Sequence, residues 1–237
     1  MSPRTRARVT GVVYLLFFLT VIIGTVLSPA TSGLTGGLAD AAATARSITE
    51  HEGAYRLAWA LTLLSTAFYV ALMALFYQLF KPVSRTFALL AAFFGLVGCA
   101  VTALQSLFQI APLVVLSGNG YLSAFDAKQL QALALVFLNL NVQLGYIALV
   151  FFGGFQLALG YLIFRSTFLP RIIGVLIAVA GAGWLTFLSP PLANNLLTVL
   201  EVLGVVSELS LMLWLLVMGV NAQRWKEQAG AAGASGI

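Results

Sequence analysis

Histidine and cysteine occur once each, as His51 and Cys99, and charged residues make up only 8% of the chain. Each scarcity excludes a class of function. A single cysteine rules out an intramolecular disulfide and a multi-cysteine metal site. One histidine and one cysteine cannot supply the ligand set of a catalytic zinc, nor bis-histidine haem within one chain. A serine nucleophile would lack an embedded histidine as its base. No aspartate falls inside a hydrophobic run, which removes a paired-aspartate intramembrane protease. The three lysines, Lys81, Lys128 and Lys226, all flank such runs, so a deep Schiff base is not expected. No glycine loop stands beside a lysine to cradle phosphate. Neither a metal nor a cofactor is therefore expected. Soluble domains carry roughly a quarter charged residues. Too little polar surface remains here to coat a globule in water, and lipid must be the solvent for much of the chain.

What is present is hydrophobic: 61% of the 237 residues, with a mean hydropathy of +1.01. Crossing about 30 Å of hydrocarbon takes about 20 apolar residues as a helix. Six segments qualify, near 9–28, 54–80, 86–116, 129–164, 171–189 and 196–220. Arg4, Arg6 and Arg8 ahead of the first run imitate a secretory signal, but the run from Val9 to Leu27 exceeds the usual signal core and suits a retained span. The net charge of +5 is topogenic: basic residues sit at the ends of apolar segments, and no nucleic-acid partner is implied. With both termini in the cytoplasm, Arg4, Arg6, Arg8, Lys81, Arg85, Arg165, Arg171, Arg224 and Lys226 are inside, while Arg46, Arg56 and Lys128 are outside. The expected fold is all-α, a polytopic six-helix transmembrane bundle with cytoplasmic N and C termini and outer extensions of helices 2–4. Residues 1–225 form the single transmembrane domain and 226–237 a flexible cytoplasmic tail.

Local signals refine the loops. Thr49-Glu50-His51-Glu52 reads as a capping box opening the second span, and Asp126-Ala127-Lys128-Gln129 as one opening the fourth. The fourth helix, running from about 127 to 164, either projects outward or breaks near Gly145, and Pro112 marks a kink or early end of the third. The Ala-rich stretch 38–47 suggests a short helix lying on the bundle, over an outer headpiece where helices 2, 3 and 4 pack together. Pro190 to Asn195 reads as a short breaker with an asparagine that can cap the last span. Gly174, Ala178 and Ala182 form a small-residue stripe on the fifth helix that allows close approach of a neighbour.

Chemistry concentrates at a few polar positions. Even on the lenient insertion scale a central charge costs about 2.5–3.5 kcal/mol, so Glu208, deep in the sixth span, needs a partner, a cavity or a function. Glu201 lies seven residues earlier on a similar face, and Arg56, at the outer end of the second span, is the obvious cation to pair with Glu201 or Glu208. Gln105, Gln109, Asn139, Asn141 and Gln143 collect in the outer halves of helices 3 and 4, with Tyr55, Trp59 and Tyr146 as aromatic walls. The inner half has little beyond Gln156, Gln78 and hydroxyl residues. This asymmetry points to an outward-facing polar pocket closed towards the cytoplasm. The competing readings are ordinary ones. Glu50 and Glu52 serve as caps, the amides as interhelical hydrogen-bond glue, Glu201 as a solvated carboxylate, and Glu208 as a buried group fixing helix packing.

The run Gly160-Tyr161-Leu162-Ile163-Phe164-Arg165-Ser166-Thr167-Phe168-Leu169-Pro170-Arg171-Ile172-Ile173-Gly174-Val175-Leu176, followed by Ala180-Gly181, resembles the signature of a bacterial membrane family, domain of unknown function 4386. Arg8 to Leu15, Leu79 to Val83, and Glu208-Leu209 with Trp214 to Val220 resemble it too. The resemblance implies a six-helix bacterial inner-membrane protein and carries no activity with it. The residues themselves favour a non-enzymatic protein that senses or carries a small amphipathic molecule or lipid, held by Glu208, Arg56, Glu201, Gln105, Gln109 and Asn141. Alternatives are a regulatory subunit that docks onto another membrane protein or a second copy, and an intramembrane hydrolase or transferase using Glu208.

Overall fold

The structure, a computed structural model, describes residues 1–27 and 40–234. Eight α-helices follow in order among them: α1 Pro3–Leu27, α2 Ala41–Glu50, α3 Glu52–Phe80, α4 Arg85–Val115, α5 Ala127–Arg165, α6 Arg171–Trp184, α7 Pro190–Val217 and α8 Ala222–Ala234. No strand occurs among the described residues. Six helical segments are long and apolar enough to cross a membrane: α1, α3, α4, α5, Arg171–Leu188 (α6 with its 3₁₀ extension), and Asn195–Val217 within α7. Apolar side chains stay exposed along their flanks, as Phe93, Ile172 and Val199 do, because a lipid-facing surface gains nothing by hiding them.

Several local expectations change. Asp40 is the N-cap of α2, its carboxylate accepting the Ala42 and Ala43 amides, and that helix runs through Thr49 and Glu50. The Thr49–Glu52 pattern is therefore a helix-to-helix junction at His51, not a capping box, and Thr49 Oγ1 donates backwards to the Ala45 carbonyl. The Asp126 box does form: the Asp126 amide donates to Gln129 Oε1 at 2.9 Å and the Gln129 amide to Asp126 Oδ1 at 2.8 Å. From there α5 runs 39 residues without a break at Gly145, about 58 Å at 1.5 Å per residue. α4 continues past Pro112 to Val115. The expected Pro190–Asn195 breaker is the first turn of α7 instead, since proline at a helix start is pre-set for that conformation. Residues 226–234, expected within a tail, belong to α8. Residues 28–39, most of the first outer connection, lie outside the described residues.

The chain divides into two compact units. One comprises Met1–Leu16, Phe68–Cys99 and Ile147–Ile237, the other Phe17–Ala67 and Ala100–Tyr146. In the second unit α2 lies as expected over the ends of α3, α4 and α5: Ile48 packs with Tyr55, Leu113 and Leu138 in one apolar cluster. Polar groups fasten the same helices. Tyr55 O–H donates to the Gln109 carbonyl, Trp59 Nε1–H to that of Ser106 at 3.0 Å, and Asn141 Nδ2–H to that of Gln105 at 3.0 Å.

In the first unit the helix ends that carry basic residues meet at one face. Arg6 donates to the Gln78 carbonyl, Trp225 Nε1–H donates to the Leu79 carbonyl at 2.9 Å, and the Arg6 guanidinium stands 5.7 Å from the Trp225 ring centroid. Arg224 and Gln228 of α8 bond the 165–171 turn through the Thr167 and Arg165 carbonyls. This is the face that the basic residues assign to the cytoplasm. Helices α5 and α6 approach backbone to backbone. A Cβ on Gly160 would lie 2.6 Å from the Gly174 carbonyl oxygen, and one on Gly153 would lie 2.9 Å from that of Gly181. Of the expected small-residue stripe, Gly174 and Ala178 take part in this contact and Ala182 remains exposed. Gly219 joins α7 to α8 with φ +69°, a conformation that disfavours side chains. Gly219→Ala should weaken docking of α8 by about 1–2 kcal/mol. Tryptic cleavage at Arg224 and Lys226 should then quicken about tenfold; an unchanged rate would mean that α8 is held independently of this turn.

Candidate functional site

Glu208 is placed by α7 in the first unit, where three other helices bring polar groups to it. Gln156 Nε2–H of α5 donates to Glu208 Oε1 at 2.5 Å. Tyr14 O–H of α1 donates to the same carboxyl, and Tyr69 of α3 is an electrostatic neighbour of both Glu208 and the Cys99 thiol of α4. Tyr14 and Gln156 are each 1% exposed, whereas Glu208 is only partly buried. Aromatic edges wall the cluster: Tyr69 meets Phe152 at 5.1 Å and Phe155 at 6.0 Å, and Tyr14 meets Phe76 at 5.9 Å. α6 touches the site through its backbone, since a Cβ on Gly181 would lie 2.9 Å from Gln156 Cβ.

The depth of this node follows from helix arithmetic. Gln156 lies nine residues before the end of α5 at Arg165, and Glu208 nine before the end of α7 at Val217. Nine residues rise about 14 Å, which is near the middle of a hydrocarbon core about 30 Å thick. A carboxyl at that depth requires compensating donors, and the amide and the phenol supply two. The amide is only half used: Gln156 Oε1 is buried with no hydrogen-bond partner. A buried acceptor without a donor loses its hydration and gains nothing in return, a penalty of about 1–3 kcal/mol.

The other expected site residues lie elsewhere. Arg56 does not pair with Glu201 or Glu208. It donates through Nε to Glu52 at 2.7 Å, one turn back on its own helix, and both side chains are more than half exposed. The reason is register: Glu52 at i−4 is within reach at no cost in helix rotation. Glu201 is partly buried on α7, in the unit that holds Glu208. Gln105, Gln109 and Asn141 belong to the second unit, where the Asn141 side-chain amide joins helices in the manner of the glue reading, while Gln105 and Gln109 take part through their backbone carbonyls. The Gln105 amide also fills the notch left by Gly145, 2.9 Å from where a Cβ would stand. Glu208 therefore bonds Gln156 from the polar-poor inner half, not the outer amides. Tyr14 and Tyr69 were not among the expected residues; each stands eleven residues from a helix end, Pro3 and Phe80, and that similarity of depth to Gln156 and Glu208 is the signal that could have found them. Among the described residues no cluster of three His, Cys, Asp or Glu is placed to hold a metal ion.

A family model described as a domain of unknown function (DUF4386) matches residues 9–219. No curated protein and no solved structure matches the chain.

Proposed function

The chain belongs to the family of domain of unknown function 4386, which brings no activity with it, and we propose that it is a non-enzymatic binding protein of the bacterial cytoplasmic membrane. It holds a small amphipathic molecule or lipid at Glu208. The observation that supports this reading is the unpartnered Gln156 Oε1 beside the Glu208 carboxyl. Two adjacent acceptors, walled by aromatic rings and only partly closed at Glu208, suit a head group that brings its own hydrogen-bond donor. Glu208 and Gln156 take the place of the six-residue outward pocket as the centre of recognition, because the Arg56 and Asn141 side chains already have partners within the protein.

Native mass spectrometry of wild type beside Glu208→Gln tests this. The wild type should carry a discrete bound mass whose occupancy falls about tenfold or more in the variant, as expected for loss of one charge-assisted hydrogen bond. Absence of any bound mass in either protein, with equal thermal stability, would make Glu208 a packing residue. It would also favour the alternative of a subunit that docks onto another membrane protein.

A further inference from the structure

At the cytoplasmic face of the first unit, where α5 turns into α6 and α8 folds beneath, there is a cavity of about 730 Å³. Arg171 and Arg224 line it, with Ser166 and Thr167 of the turn and Glu227 and Gln228 of α8. The single acidic group is turned onto its own helix, where Gln223 Nε2–H donates to Glu227 Oε1 at 3.0 Å. Arg224 gives one N–H to the Thr167 carbonyl at 3.3 Å, which fixes the guanidinium at the rim and leaves its other donors for a ligand. α6 begins at the same place, and Pro170 in front of it offers no side-chain cap, so its first-turn amides add positive character.

A second, apolar cavity of about 420 Å³ runs along the seam of α5 and α6. It exists because Gly160, Gly174, Ala178 and Ala182 leave nothing above the closely packed backbones, and Val175 and Phe164 form its sides. Arg171 and Phe164 connect the two spaces: the guanidinium that lines the polar cavity lies 5.5 Å from the centroid of the ring that lines the groove. A cationic head site adjoining an apolar slot, at the boundary between basic loop and lipid-facing helix, has the charge and shape of one kind of molecule.

We propose that this composite surface binds an anionic phospholipid of the cytoplasmic leaflet, its phosphate on Arg171 and Arg224 and one acyl chain in the α5–α6 groove. Basic pockets between spans on the cytoplasmic side suit such head groups, and a guanidinium matches phosphate geometry in a way a lysine does not. None of these residues belongs to the Glu208 node, so the proposal stands apart from the function proposed above.

The test is native mass spectrometry of the full chain with added phosphatidylglycerol or phosphatidylcholine. The wild type should retain one phosphatidylglycerol under activation that strips phosphatidylcholine. Arg171→Ala with Arg224→Ala should cut that occupancy about tenfold or more. Ala182→Leu, which fills the groove from an exposed position, should also reduce it, and Glu208→Gln should leave it unchanged. The paired arginine-to-lysine variant guards against simple misfolding: it keeps the charge and should bind with intermediate occupancy. Equal retention of the two lipids, or no response to the arginine changes, would overturn the proposal. So would displacement by millimolar inorganic phosphate with no effect of Ala182→Leu, which would make the site one for a soluble phosphate.

Discussion

Gly160→Leu should leave no folded protein in detergent, with the size-exclusion peak moving to aggregate. At this position a Cβ alone would stand 2.6 Å from the Gly174 oxygen, 2.7 Å from the Ala178 nitrogen and 2.8 Å from Ala178 Cβ. Two of those atoms are backbone, so no rotamer change relieves the overlap and α6 must move away bodily. Ordinary overpacking costs about 1–3 kcal/mol. Here separation of the helices also removes the reciprocal contact of Gly153 with Gly181 one heptad away, and with it the packing that holds α6 against α5. A loss well above about 3 kcal/mol is therefore expected. Gly53→Ala is the matched control. Nothing lies within 4 Å of a Cβ there, and removing a helical glycine should be neutral or stabilising by up to about 1 kcal/mol. A well-folded Gly160→Leu protein would show that the α5–α6 contact is not needed for the bundle.

The polar node should respond to substitution in opposite directions depending on how many of its members change. Gln156→Leu alone removes the amide donor from a carboxyl near mid-membrane and should destabilise by about 2–3 kcal/mol. Changing Tyr14→Phe, Gln156→Leu and Glu208→Leu together removes the carboxyl along with the amide and the phenol that bond it. Replacing buried polar partners by apolar groups of similar shape is commonly neutral or stabilising by about 1–4 kcal/mol. Unfolding in mixed detergent reads both effects. A triple variant as stable as wild type, yet devoid of the bound mass, would mean that the node is retained for binding and not for folding. A triple variant less stable than Gln156→Leu would identify the node as a structural clamp and remove the basis for the proposed function.

How far these features were legible in the sequence depended on the range of the interaction that set them. The spans followed from hydropathy, which acts locally on each segment. The Asp126–Gln129 box followed for the same reason, both partners being within one turn. Thr49–Glu52 has the same pattern and a different outcome, because Asp40, nine residues upstream of Thr49, had already started a helix that continued through it. The site was half legible. Glu208 was evident as a carboxyl in an apolar run. Its partners depended on how α1 and α5 rotate about their own axes, and a single polar residue per turn does not reveal that rotation. Arg56 misled for the opposite reason, since an available i−4 carboxylate outcompetes a more distant one.

The meeting of the first and last spans also has a consequence in time. Tyr14 bonds Glu208, the backbone of Leu216 packs against Gly11 where a Cβ would stand, and Arg6 lies against Trp225. Each of these partners leaves the ribosome roughly two hundred residues after the residue it joins. At about 5–20 residues per second the wait is about 10–40 s. Throughout it, α1 stands in the bilayer with its tyrosine and glycine faces turned to lipid or to whatever else offers a surface. A membrane chaperone or insertase able to cover that face during synthesis would guard the one helix whose permanent neighbour is made last.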